Sequence, residues 1–126
     1  MSRYLVTGAA GFIGAALASR LLKEGNQVVT IDNLSTGNTS NIPDGVKFIE
    51  GDCGNKDVYS KIPNEKYDAI FHIAGQSSGE ISFDDPIYDI RTNAESTLLL
   101  LKFALQNKCK RFNKLIIFRI NTNGFK

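Results

Sequence analysis

Strands alternating with helices, each strand apolar almost throughout, predict an α/β fold: a doubly wound parallel sheet of about five strands. Short β-branched or apolar runs recur at residues 4–6, 27–32, 46–49 and 69–73. Helix-spaced leucines, isoleucines and alanines fill the interval after the first run and again after the fourth. A strand that is apolar on both sides has both faces covered, as the strands of a parallel sheet do. Right-handed crossovers between such strands wind helices onto both faces.

The 126 residues, 42% apolar and 22% charged, fit one compact domain with a single core. No apolar run approaches the roughly 18 residues of a membrane span, and the N-terminus lacks a signal-peptide layout. Cys53 and Cys109 have no metal-ligand spacing, so they read as reduced thiols in a cytoplasmic protein with no membrane partner. Residues 1–101 carry 8 Lys/Arg and all 13 Asp/Glu, whereas residues 102–126 carry 7 Lys/Arg and no acid. A basic tail invites a nucleic-acid reading, but the apolar and aromatic residues between its charges argue for a strand instead.

Taken in order, Tyr4, Leu5 and Val6 form the first strand, ended by Thr7 and Gly8. From Gly11 the pattern turns helical: Ile13, Leu17 and Leu21 recur every fourth residue, with Ala16, Ala18 and Leu22 beside them. Gly25 stands where a helix C-terminal glycine belongs. Residues 27–32 (QVVTID) are the second strand, 33–45 a loop, and 46–49 the third strand. Asn55 can cap a short helix carrying Val58, Tyr59 and Ile62. Residues 69–73 (AIFHI) are the fourth strand, followed by a polar loop to Asp85. Asp85 as N-cap and Pro86 at the first helical position open the longest helix. On it Ile87, Ile90, Ala94, Leu98, Leu101 and Leu105 form one apolar stripe at spacings of three and four, the pattern of an amphipathic helix. Residues 114–120 (KLIIFRI) are the expected fifth strand.

The chemistry sits after the first strand, where Gly8, Gly11 and Gly14 are spaced G-x-x-G-x-x-G. Gly8 permits the tight turn off the strand. Gly11 lets main-chain N–H groups approach a pyrophosphate, and Gly14 lets the helix pack against the sheet. The helix N-terminus adds unpaired N–H groups and about half a positive charge. Asp32 ends the second strand 18 residues past Gly14, where a carboxylate reaches the adenosine ribose hydroxyls of a dinucleotide. That carboxylate would repel a 2′-phosphate, and no Arg or Lys occurs between Asp32 and Lys47, so NAD is expected over NADP. His72, inside an apolar strand, reads as a hydrogen-bonded core histidine rather than a catalyst.

TGAAGFIG at 7–14, DNLSTGN at 32–38, GDC at 51–53 and HIAGQSS at 72–78 resemble the extended short-chain dehydrogenase/reductase family, and within it the nucleotide-sugar epimerases and dehydratases. Asp84, Asp85 and Pro86, followed by Asn93 and Thr97, are similar too. The likeness covers about residues 3–112 and implies a Rossmann fold that binds NAD and works on a UDP- or other NDP-sugar. By position it implies Phe12 and Ile13 at the pyrophosphate, with Asp32, Asn33, Ser35, Gly37 and Asn38 around the adenosine ribose. Asp52 and Cys53 would meet the adenine. Ala74, Gly75 and Gln76 would lie beneath the cofactor's centre, Asn93 near the nicotinamide, and Ser77 and Ser78 where the sugar begins.

Such enzymes pair hydride transfer at the sugar C4 with a Tyr-x-x-x-Lys dyad. A phenol near pKa 10 needs a neighbouring cation to act as a base at neutral pH. Four residues beyond Tyr4, Tyr59, Tyr67 and Tyr88 stand Gly8, Pro63, Phe71 and Thr92, so the dyad does not occur in these 126 residues. The expected organisation is a partial NAD-binding domain over 1–112 and a divergent basic segment over 113–126, where the residues lose the family pattern. A catalytically incomplete epimerase or dehydratase portion follows. The rival is a non-enzymatic nucleotide-binding or self-pairing module whose KLIIFRI edge makes a homo-oligomer.

Overall fold

The computed structural model describes residues 2–35, 37–73 and 85–114. Its sheet has five parallel strands in the order β3-β2-β1-β4-β5. These are β1 (Arg3–Thr7), β2 (Gln27–Asp32), β3 (Lys47–Glu50), β4 (Ala69–His72) and β5 (Phe112–Lys114). Helix α1 (Phe12–Lys23) follows β1 and helix α2 (Pro86–Gln106) follows β4, while a short 3-10 helix, Lys56–Lys61, lies between β3 and β4. The order reverses between β1 and β4, the switch point at which open α/β sheets hold ligands.

Alternation along β1 and β2 assigns the two faces. Leu5, Val29 and Ile31 point to one side with Ile49, Ile70 and, from α2, Leu100, Phe103 and Ala104. Val6 and Val28 point to the other, against Ala18 and Leu21 of α1. With helices on both faces the sheet is doubly wound, as the apolar strands require.

The helix ends follow from their capping residues. Gly25 has φ +85°, and behind it the Gly25 N–H donates to the Leu22 carbonyl and the Asn26 N–H to the Leu21 carbonyl, at 3.0 and 3.1 Å. Those two bonds close α1 in a Schellman motif. Asp85 Oδ1 accepts from the Tyr88 N–H at 3.0 Å and Pro86 takes the first helical position of α2. Asn55 Oδ1 likewise accepts from the Asp57 N–H, capping a helix of 3-10 type.

Two expectations are corrected. The stripe of α2 faces outward: Ile87 is 72% exposed, Leu98 67% and Leu105 81%, whereas Ser96, Leu100, Phe103 and Ala104 are buried. Four consecutive leucines, 98–101, let the helix present either of two apolar faces. The sheet takes the one with Phe103, whose ring packs 5.9 Å from Tyr59 and 5.6 Å from Tyr67. The fifth strand starts at Phe112 rather than Lys114, where the Ile70 N–H donates to the Arg111 carbonyl at 3.0 Å and ties the segment to β4. Residues 115–120 of the expected strand lie outside the described residues.

Candidate functional site

Strand ends are level at the carboxyl edge: Thr7 pairs in register with Ile31 and with His72, and Asp32 with Glu50. At that edge β1 breaks into a turn at Gly8, whose φ of +86° lies in the left-handed region. The Gly8 N–H still donates to the Ile31 carbonyl at 2.9 Å, and the Gly11 N–H donates back to the Gly8 carbonyl at 3.1 Å. A Cβ on Gly14 would lie 2.1 Å from the Gly8 oxygen, so a bare α-carbon there is what lets α1 dock on the turn. At Gly11 a Cβ would meet the same oxygen at 3.4 Å, a contact the chain tolerates.

Gly11 is the N-cap of α1 and supplies no side-chain acceptor. The first-turn N–H groups of Phe12 and Ile13 thus have no capping side chain, and with the helix dipole they form a seat for an anion. Phe12 is 90% exposed beside this seat, with Ile13 partly exposed next to it.

Asp32 closes the other side. Its side chain is buried at the end of β2, with Oδ2 accepting from the Ala10 N–H at 3.0 Å and Oδ1 from the Leu34 N–H at 2.7 Å. Carboxylate and glycine turn therefore touch. A carboxylate offers about four acceptor positions, so two main-chain bonds leave capacity for two hydroxyls.

Beyond Asp32 the loop folds onto the turn. Asn33 Oδ1 accepts from the Ser35 N–H at 3.0 Å, which bends the chain, and both residues are exposed. Gly37 lies against Ala10, where a Cβ would approach the Ala10 oxygen to 2.5 Å. The Asn38 N–H donates to that oxygen at 3.2 Å, and Asn41 Nδ2 donates to it at 3.0 Å. Sequence reasoning missed Asn41, because a lone loop asparagine carries no periodic or motif signal. The one clue was its place three residues after Asn38, where a single helical turn forms.

Past β3, Asp52 is exposed and its Oδ1 accepts from the Gly54 N–H at 2.8 Å. The Gly51 N–H donates to the Asp32 carbonyl, which carries Asp52 to the same edge. Cys53 turns its thiol into the core, where burial first and then Asp52 push it up to about 11. The Cys53 carbonyl accepts from the Tyr59 hydroxyl at 2.7 Å.

His72 is a fully buried polar link, as its sequence setting implies. Its Nδ1 lies 2.7 Å from Thr7 Oγ1 and its Nε2 3.2 Å from Ser96 Oγ, joining β1, β4 and α2. Burial, then Lys114, lowers its pKa from 6.5 to about 4. Asn93 sits half-buried on α2 one turn from Ser96, and its carbonyl accepts from Ser96 Oγ and Thr97 Oγ1. Ala74, Gly75, Gln76, Ser77 and Ser78 lie outside the described residues. Among the described residues no group of three His, Cys, Asp or Glu side chains can hold a metal, and no helix is long and apolar enough to cross a membrane. A concavity of about 590 Å³ lined by Tyr4, Phe71, Lys108 and Arg111 opens at the amino ends of β1, β4 and β5, away from the glycine turn.

A parallel sheet in this order, with a glycine turn and a facing acidic residue at the ends of β1 and β2, defines a Rossmann-type α/β domain. The chain belongs to the NAD dependent epimerase/dehydratase family, whose model matches residues 4–115. It is 40% identical over 107 residues to the UDP-glucose 4-epimerase of Mycolicibacterium smegmatis, covering 81% of this chain and 34% of that protein. An epimerase structure from Methanothermobacter thermautotrophicus superposes with a TM-score of 0.84 at 33% identity, over 90% of this chain and 34% of the other. The Thermus thermophilus UDP-glucose 4-epimerase, solved as a complex with NAD, gives a TM-score of 0.79 at 34% identity, over 87% and 36%. The chain spans about a third of the length of the curated relatives it matches.

Proposed function

We propose that this chain is the NAD-binding portion of a nucleotide-sugar epimerase or dehydratase. The observation that carries the reading is the 3.0 Å bond between the Ala10 N–H and Asp32 Oδ2, which makes the diphosphate seat and the ribose-binding carboxylate one object. The first turn of α1 holds the diphosphate, Asp32 the adenosine ribose, and Asn33, Ser35, Gly37 and Asn38 border it. Asp52 accepts from the adenine amine, with the Cys53 main chain beside it. The family resemblance assigns Ala74, Gly75 and Gln76 to the cofactor's centre, Asn93 to the nicotinamide, and Ser77 and Ser78 to the sugar. NAD, when bound, supplies hydride chemistry at C4 of a UDP- or other NDP-sugar.

These 126 residues contain no Tyr-x-x-x-Lys, so they bind and orient the cofactor without a proton-transfer dyad. In this reading residues 1–112 are the bulk of the cofactor domain, and 113–126 a basic segment whose first two residues complete β5. Two free cysteines support a cytoplasmic setting. Asp32 would face a 2′-phosphate, and unit charges ~4 Å apart repel by about 4 kcal/mol at an effective dielectric of 20. Calorimetric titration is expected to give NAD an affinity at least about tenfold above that of NADP. Equal affinities, or no binding of either, would remove the reading.

We also propose that a second copy of the chain covers the outward face of α2. Ile87, Ile90, Ala94, Leu98 and Leu101 are spaced three, four, four and three apart, so the stripe reads the same from either end about Ala94. Two copies set antiparallel across Ala94 would place Ile87 opposite Leu101 and Ile90 opposite Leu98, with Arg91 beside Glu95 on one flank. Such self-complementarity is what a two-fold interface requires. Leu98→Glu should convert a dimer to a monomer in analytical ultracentrifugation. A wild-type chain that sediments as a monomer would sink this pairing.

A further inference from the structure

We infer that Asn41 is a positioning residue for the diphosphate seat, an inference that rests on the NAD reading above. Ala10 is fully buried and its peptide groups are held from both sides by the loop that follows β2. Its N–H donates to Asp32 Oδ2, and its carbonyl accepts from the Asn38 N–H at 3.2 Å and from Asn41 Nδ2 at 3.0 Å. Both lone pairs of that oxygen are engaged, which fixes the plane of the peptide joining Ala10 to Gly11. Gly11 is the N-cap of α1, so the orientation of this one peptide aims the Phe12 and Ile13 N–H groups.

Asn41 reaches the turn from the last residue of the short 3-10 helix Thr39–Asn41, itself capped by Asn38 Oδ1 accepting from the Ser40 N–H at 3.0 Å. The close approach of Gly37 to the Ala10 oxygen holds the loop against the turn. Asn41 itself is an exposed residue, yet its amide spans 31 positions of sequence to a buried carbonyl. Removing the amide leaves the Asn38 bond and the Gly11 N–H bond to the Gly8 carbonyl in place, so the turn survives with one restraint fewer on its carbonyl. The Ala10 N–H that braces Asp32 belongs to the preceding peptide, so the ribose side, held at the end of β2, feels the change less. Asn41 therefore acts on the diphosphate part of the ligand more than on the adenosine part.

The test compares the wild-type chain with Asn41→Leu, which keeps the size and loses the donor, and Asn41→Asp, which keeps the polarity and loses the donor. NAD is titrated by calorimetry, adenosine by competition with NAD, and the urea midpoint is measured for each. Expected is an NAD affinity about fivefold weaker in Asn41→Leu, with adenosine binding changed less than about twofold and the midpoint lowered by no more than one net hydrogen bond accounts for. Asn41→Asp should lose at least as much, since its carboxylate meets the Ala10 oxygen. Unchanged NAD affinity in both variants would overturn the inference. So would a loss shared equally by adenosine, which marks general loosening. A wild-type chain that binds no NAD overturns the NAD reading first, and this inference with it.

Discussion

On α1, Ala18 and Leu21 disappear against Val6 and Val28 of the sheet; on α2, Ile87, Ile90, Leu98 and Leu105 stand in solvent while Leu100, Phe103 and Ala104 pack inward. Both helices are amphipathic by periodicity, and both have apolar residues at spacings of three and four. The difference lies in what each offers the sheet. Small residues on α1, Gly14 and Ala18, allow close docking on the glycine turn and β2. On α2 the aromatic ring of Phe103, packed against Tyr59 and Tyr67, decides which of two apolar faces turns inward. Periodicity thus reports that a helix has an apolar face, while packing against particular partners decides where that face goes.

The largest effect that would sharpen this comparison comes from matched truncations. Leu21→Ala removes a buried side chain and should cost roughly 2–5 kcal/mol of unfolding free energy. Leu98→Ala, on the exposed stripe, should stay within about 0.5 kcal/mol in the monomer. Urea unfolding at low protein concentration checks both, and equal costs would mean that α2 sits the other way round. Next in size is the link that ties α2 to the sheet through His72. Burial and Lys114 hold this imidazole down at about 4 instead of 6.5. Between those values an unfolded chain takes up a proton that the folded one excludes. Stability is therefore complete above pH 6.5 and falls as pH drops toward 4, by about 3 kcal/mol. Unfolding curves at pH 7 and pH 4.5 should show the loss, and His72→Gln should flatten it. A slope unchanged in that variant would assign it to other groups.

Much of this architecture is legible in the sequence, for reasons that differ by residue. β2 was read at its observed bounds, because six β-branched or apolar-flanked residues run from Gln27 to a terminal Asp32. Gly8, Gly14 and Asp32 declared themselves through spacing, since each answers a steric or charge requirement that few residues meet. Asp85 and Pro86 announced the start of α2 through local capping chemistry. The inward face of α2 was not legible, because four leucines in a row satisfy two helical phases equally. Nor was the clamp on Ala10: Asn41 finds its carbonyl through a loop whose path depends on Gly37 lying flat against the turn, a tertiary contact without local pattern.

The most direct measurement is calorimetric titration of NAD into the wild-type chain and into Asp32→Ala. A carboxylate that holds the ribose while bracing the Ala10 N–H should be worth roughly 1.5–3 kcal/mol, about tenfold or more in affinity. Identical dissociation constants would separate the acidic side chain from the cofactor and contradict the site described.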